Sequence, residues 1–261
     1  MPLVHVHTGT AGGAEAARRG HVAVVVDALR ASGTITTLLA HGVARLLVVA
    51  EPEEGLALRD AFIADAELTA ADLLTVGERG GLRVEGFDRG NEPIVADEPL
   101  PPVCIFTSSN CARCCLAARE APALFLGTTI NASAVSAAAA AAAADLDTDI
   151  MLLPAGFASD ETRLNWEDTL ASGSILDCGS LTPANDYARA ALYAYRYVTR
   201  AGLPREMPEG VHGRHLVSLG RADDIAFLAQ VDILDAVPVR AAVGEKAGVT
   251  YVELRSLPAT E

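Results

Sequence analysis

The sequence predicts an α/β protein, layered α/β/α, with mostly parallel or mixed sheets and two similar lobes. Short, continuous β-branched runs such as VAVVV at residues 22–26 have the character of strands covered on both faces. Helical patterns alternate with these runs, the order expected of βα units built on a parallel sheet. A Thr-x-x-Asn step follows two of the strands, at residues 107–110 and 128–131, so one unit is used again. The expected lobes are 1–145 and 146–261, the second completing the site.

Taken in order, Val4 and Val6 alternate with His5 and His7, the period of a half-buried first strand. Two histidines on one strand face are potential metal ligands, although at a terminal strand they read first as surface residues. After the 22–26 strand, Asp27 ends the run, Ser32 is placed to cap, and GTITTLLAHG reads as a helix closed by Gly42. A strand over 45–50 leads to a helix opened by Pro52, with acids in its first turn that suit the helix dipole. Residues 73–78 form another strand, and the acidic, proline-rich 93–102 a connection. VCIFT and ALFLG start two further strands, each followed by a helix, and DIMLLPAGF gives one more. Asn165 and Trp166 precede Glu167 and Asp168 at a helix start. TPANDYARAALYAYRYVTRAG is an amphipathic helix with Pro183 near its start and Gly202 past its end. HGRHLVSLG reads as a glycine-bounded strand or loop, followed by a helix from Ala222, a short strand over 237–240 and a last one in VTYVEL.

Composition narrows the function. With 51% apolar residues the chain folds around a sizeable core, and a formal net charge of −14 argues against nucleic acid as a partner. An anionic substrate must then be met by local arginines or by a metal. Lys246 is the sole lysine and alanine is abundant, a genomic bias, so the positions of arginines inform more than their number. The five cysteines include Cys111, Cys114 and Cys115, without a second pair at zinc-site spacing. No signal-peptide pattern opens the chain and no apolar run reaches membrane-spanning length, so a reducing cytoplasm is expected, with no membrane partner and with a homo-oligomer left open.

The chemistry collects at strand ends, where parallel sheets bind ligands. GERGGLRVEGFDRGN at residues 77–91 is dense in glycine, arginine and carboxylates, the composition of a ligand cradle in which Arg79 and Arg89 offer planar forks to an oxyanion. Asp27, Glu78, Asp88, Glu167 and Asp168 are oxygen ligands for a hard divalent cation, and Ser108, Ser109, Asn110 and Asn131 are anion hosts beside helix starts. Together they describe a phosphate-plus-magnesium site, with Asp27, Glu78, Glu167 and Asp168 as the metal set. For Ser32 and Asn131 plain helix capping explains the residue equally, and for Glu167 a dipole role does.

These blocks resemble those of the 2-phosphosulfolactate phosphatases. VDALRASGTITTLLAHG, GERGG with GFDRGN, TSSN, NASAV, and PAG with NWEDTLASG follow one another in that family's order between about residues 26 and 173, with a weaker match in GRADDIAFLAQVD. The resemblance implies a magnesium-dependent phosphomonoester hydrolase of coenzyme M biosynthesis, turning 2-phosphosulfolactate into sulfolactate and phosphate. It carries over Asp27, Arg30, Glu78, Arg79, Asp88, Asn91, Ser109, Asn110, Asn131, Glu167 and Asp168; with the strand-end residues, Asp27, Arg30, Arg79, Asp88 and Asn110 are then expected to be catalytic, and Ser32, Asn91, Ser108, Ser109 and Asn131, again with Arg79 and Asn110, substrate-binding. The chain departs from the pattern at Cys111, where the family usually has glycine, and at Leu170–Gly173, where it has Cys-Ala-Gly. Other readings are a phosphatase of this fold on another phospho-acid, a cysteine hydrolase using Cys111, and a non-catalytic anion-binding module.

Overall fold

A computed structural model of the chain describes residues 2–93, 99–157, 159–160, 163–179 and 181–257. Residues 94–98 of the expected proline-rich connection lie outside this set. The strands are β1 (Leu3–Val6), β2 (Val22–Val26), β3 (Arg45–Val48), β4 (Leu73–Arg79), β5 (Leu82–Arg83), β6 (Val103–Thr107), β7 (Leu124–Leu126), β8 (Ile150–Pro154), β9 (Thr182–Pro183), β10 (Pro238–Lys246) and β11 (Val249–Ser256). The helices are α1 (Gly9–Arg19), α2 (Ala31–Ala40), α3 (Pro52–Ala64), α4 (Cys111–Ala117), α5 (Ala132–Asp145), α6 (Trp166–Asp177), α7 (Asp186–Val198), α8 (Leu203–Glu206), α9 (Val211–Ser218) and α10 (Ala222–Leu228).

The strands form one mixed sheet in the order β5-β4-β6-β3-β11-β10-β7-β2-β8-β1-β9. Parallel pairs on either side, β4-β6-β3 and β7-β2-β8-β1-β9, are joined by the antiparallel hairpin of β10 and β11. The sheet therefore crosses the sequence division at residue 145: β2 pairs with β8 from Val22 opposite Ile150 to Val26 opposite Pro154.

Alternation along the strands sorts the core. Ala23 and Val25 of β2 bury on one face, in a cluster with α2, α4 and the apolar side chains Leu46, Val48, Leu74, Val76, Cys104 and Phe106 of β3, β4 and β6. Val22, Val24 and Val26 bury on the other, against α5, α6 and α7. Leu47, Leu73, Val103 and Ile105 point the opposite way from the β3, β4 and β6 residues just named, towards Leu58 and Phe62 of α3. The two parallel groups of strands thus share α2 and α4 as a filling, with helices outside each. A five-residue run buried throughout, as β2 is, needs this double cover.

Several elements differ from the sequence expectation. α1 covers a glycine-rich stretch with weak helix propensity, because close contact requires the glycines: a Cβ on Gly12 would lie 2.3 Å from the His7 carbonyl oxygen. α9 forms where a strand or loop was expected, and β10 runs well beyond 237–240. Pro183 belongs to β9, and α7 starts after Asn185, whose side chain accepts from the Ala188 N–H at 2.9 Å. No described helix is long and apolar enough to cross a membrane.

Candidate active site

Where β2, β4 and β6 end, Asp27, Glu78, Ser109 and Asn110 line a cavity of about 280 Å³ together with Arg30, Asn91, His212 and His215. Asp27 is fixed by two helix starts. Its Oδ1 accepts from the Ala31 N–H at 3.2 Å, the carboxylate also accepts from the Cys111 N–H, and its own N–H donates to Ser32 Oγ at 2.9 Å. Burial raises its pKa, the two amides pull the other way and the charge of Glu78 adds to the rise, leaving it pushed up to about 7. Glu78 Oε1 accepts from the Ser109 N–H at 2.7 Å and Oε2 from the Gly81 N–H at 2.9 Å, so β4 and the β6 loop are tied through one carboxylate. Gly81, at φ 82°, adopts a left-handed conformation that permits this return of the chain.

Arg30, 2% exposed at the side chain, donates from Nη1 to Asp224 Oδ2 at 2.5 Å and from Nη2 to the Gly81 carbonyl at 3.1 Å. A guanidinium has five N–H donors, so capacity remains for an anion in the cavity. Asn91 is anchored through its backbone carbonyl, which accepts from Thr34 Oγ1 at 3.2 Å, while its buried Oδ1 has no hydrogen-bond partner among the described residues. An orphaned buried acceptor on a cavity wall marks where a donor or cation belongs. His212 donates to the Leu29 backbone, and burial lowers its pKa, keeping the ring neutral near pH 7. His215 Nε2 meets the Gly80 carbonyl at 3.1 Å.

The structure separates the expected metal carboxylates. Asp27 and Glu78 face the cavity. Asp168 is buried behind Asp27, its Oδ1 accepting from the Ala28 N–H at 2.8 Å and its Oδ2 from the Gly156 N–H at 3.0 Å, which locks the ends of β2 and β8 together. Burial, and then the charge of Asp27, hold its pKa well above the carboxylate range. Glu167 turns to α9, where Oε1 accepts from the Gly213 N–H at 2.6 Å and Oε2 is left without a partner among the described residues. It thereby positions the helix that carries His212 and His215. Two carboxylates and the Asn91 oxygen are hard donors lining the same cavity, a donor set suited to a magnesium-sized cation that keeps several other ligands.

Other expected residues serve the frame. Arg79 does not line the cavity: it donates to the carbonyls of Glu78 and Ala50, both at 2.7 Å, and pairs with Glu51 at 3.2 Å. Asp88 accepts from the Thr75 N–H at 2.8 Å and Thr75 Oγ1 at 2.6 Å, closing the loop back onto β4. Ser32 bonds the Asp27 N–H, and Ser108 Oγ accepts from the Ala112 N–H at 3.2 Å. Asn131 accepts from the Thr128 N–H at 2.9 Å and donates to the Ala236 carbonyl at 3.0 Å. Cys111 is fully buried, and hydrogen bonding to Cys115 together with burial pushes its thiol pKa far up, which disfavours it as a nucleophile. The sequence reading singled out none of Asp224, His212 and His215 as site residues. The signal was present in the i, i+3 spacing of His212 and His215, which sets both on one helix face.

Comparison with known proteins follows the same blocks. A family model described as 2-phosphosulpholactate phosphatase matches residues 10–242. A protein of Caldanaerobacter subterraneus subsp. tengcongensis named probable 2-phosphosulfolactate phosphatase is 34% identical over 82% of this chain and 86% of that protein. Proteins of the same name from Deinococcus radiodurans, 33% identical over 83% of the chain and 86% of that protein, and from Carboxydothermus hydrogenoformans, 31% identical over 82% and 84%, are also similar.

Proposed function

Because the chain belongs to the 2-phosphosulfolactate phosphatase family of phosphoric monoester hydrolases, we propose that its substrate is 2-phosphosulfolactate, cleaved to sulfolactate and inorganic phosphate with the help of magnesium. The observation that carries this reading is the meeting of Asp27, Glu78 and Arg30 on one cavity. Asp27, Glu78 and the Asn91 Oδ1 hold the cation, with Glu78 kept in place by its two amide bonds. Magnesium, when bound, supplies a Lewis acid that draws charge from the phosphoryl oxygens.

The remaining steps fall to the chain's own groups. Arg30, held rigid by Asp224 and Gly81, presents its spare donors to the equatorial oxygens, where charge accumulates in phosphoryl transfer. With one ring nitrogen donating to Leu29, His212 keeps a lone pair on the other and takes the proton of the attacking water. Displacement is in line and direct. The pathway is coenzyme M biosynthesis and the compartment reducing, a setting that the five free thiols suit.

Phosphate release from 2-phosphosulfolactate, phospholactate and phosphoglycerate, measured with magnesium and again with chelator, tests the reading. The sulfonate substrate should give the highest kcat/KM, and chelation should abolish turnover. Equal rates on all three esters, or full activity in chelator, would count against the substrate or the metal respectively.

A further inference from the structure

At the opposite ends of these strands the structure assembles a second set of ligands. His5 of β1, His21 just before β2 and Asp149 just before β8 bring one ligand atom each to within 4.8 Å of one another. β2 separates this cluster from Asp27: six residue steps at ~3.3 Å each put them roughly 20 Å apart. The sequence offers His5 and His7 as a pair, but His7 is exposed and bonds the Thr8 carbonyl, while parallel pairing of β1, β2 and β8 supplies His5 with different partners.

Each ligand is oriented from behind. Asp149 Oδ1 accepts from the Leu3 N–H at 3.1 Å, leaving Oδ2 at 3.3 Å from His5 Nε2. The Val22 N–H donates to the Asp149 carbonyl at 3.0 Å, which fixes the residue between β1 and β2. The His21 ring stacks on His5 with centroids 5.3 Å apart and planes 10° from parallel. Thr148 Oγ1 donates its one hydrogen to the Gly20 carbonyl at 2.9 Å, so its contact with His21 Nδ1 at 3.2 Å must be an N–H donated by the ring. The His21 lone pair is then on Nε2, which is buried and has no hydrogen-bond partner among the described residues. A ligating histidine commonly has its far nitrogen held in this way by an outer partner.

We propose that His5 Nε2, His21 Nε2 and Asp149 Oδ2 bind a divalent transition ion of the zinc class. Two imidazoles and one carboxylate suit zinc, cobalt or nickel, and magnesium poorly. Bonds of ~2.0–2.1 Å at tetrahedral angles set ligand atoms roughly 3.3 Å apart, so small side-chain rotations complete the triangle. A cavity of about 400 Å³ lined by His21, Thr148 and Asp149 adjoins the cluster, and the fourth position would be left to water. Since the ligands come from the starts of three neighbouring strands, the ion clips the first strand to the sheet and stabilises the folded chain by mass action.

The test uses the untagged full-length protein, freed of metal with a chelator and titrated with cobalt chloride, reading visible absorption and the melting temperature. With millimolar magnesium present to occupy the active-site cavity, one cobalt per chain should bind, giving the absorption of a four- or five-coordinate ion and a higher melting temperature. Zinc should displace it, and millimolar magnesium should not. His21→Gln and Asp149→Asn should weaken binding at least ~100-fold, and Thr148→Val, which removes the outer partner, ~10–100-fold. His7→Gln and Asp27→Asn should bind as the wild type does. Metal-free melting curves establish that each variant folds, and His5→Gln replaces any ligand variant that does not. A wild type that binds no cobalt, displacement by magnesium, or unchanged binding in the folded ligand variants would overturn the site.

Discussion

Asp27 keeps its carboxyl group out of solvent between the starts of α2 and α4, and its ionisation opposes folding. The ordinary aspartate value of 3.8 and the folded value of about 7 differ by an amount worth roughly 4 kcal/mol at ~1.4 kcal/mol per tenfold change in proton affinity. Below pH 4 the group is protonated in both states. Between about pH 4 and 7 the unfolded chain gives up the proton while the folded chain keeps it, so this residue makes stability fall as pH rises, and the loss is complete above about 7. Asp27→Asn should therefore melt higher than wild type at pH 8 in chelator, with the gap closing towards pH 4. Parallel melting-temperature curves for the two proteins would show the carboxyl to be unstrained. A bound cation reverses the preference by favouring the ionised form, so its affinity should rise with pH over the same window.

Among the elements, α9 and α1 show how the frame serves the site. Glu167 reaches α9 through the Gly213 N–H, and Glu167→Ala would leave that buried donor unpaired, costing ~1–3 kcal/mol. We expect kcat/KM to fall at least ~10-fold as His212 loses its placement. The magnesium concentration for half-maximal activity should stay within about twofold, since the proposed cation site does not include Glu167. A large rise in that concentration would restore Glu167 to the metal set. In α1, Gly12→Ala brings a methyl group against the His7 carbonyl and should destabilise the protein by ~1–3 kcal/mol in urea unfolding, whereas an unchanged midpoint would mean that the helix has room. The strands were legible because their apolar runs are local. α1 and α9 were not, because in both the reason for helix formation, the close approach of Gly13 to Ala117 and Ala118 or the buried carboxylate of Glu167, comes from residues distant in the sequence.

Over the whole molecule, the residues of β4 and the following loop disclosed the site's place, while the sharing of roles within it depended on tertiary partners. Arg79 and Arg30 are alike in sequence, each close to a strand end, yet Glu51 and the Ala50 carbonyl take the first and Asp224, far along the chain, turns the second to the cavity. Asp168 looks like a ligand, yet it stays outside the cavity lining, tied to the Ala28 and Gly156 N–H groups. The hairpin of β10 and β11, which joins the parallel groups, has no local signature of its position in the sheet. What the fold achieves is the convergence of Asp27, Arg30, Glu78 and His212 from three separate segments on one cavity. The most direct test of that claim is steady-state phosphate release from 2-phosphosulfolactate by wild type and Asp27→Asn, with magnesium at pH 7.5 and with folding checked by melting. The account predicts turnover by the wild type and a fall of at least ~100-fold in a variant that is fully folded; a folded Asp27→Asn that works at the wild-type rate would contradict it.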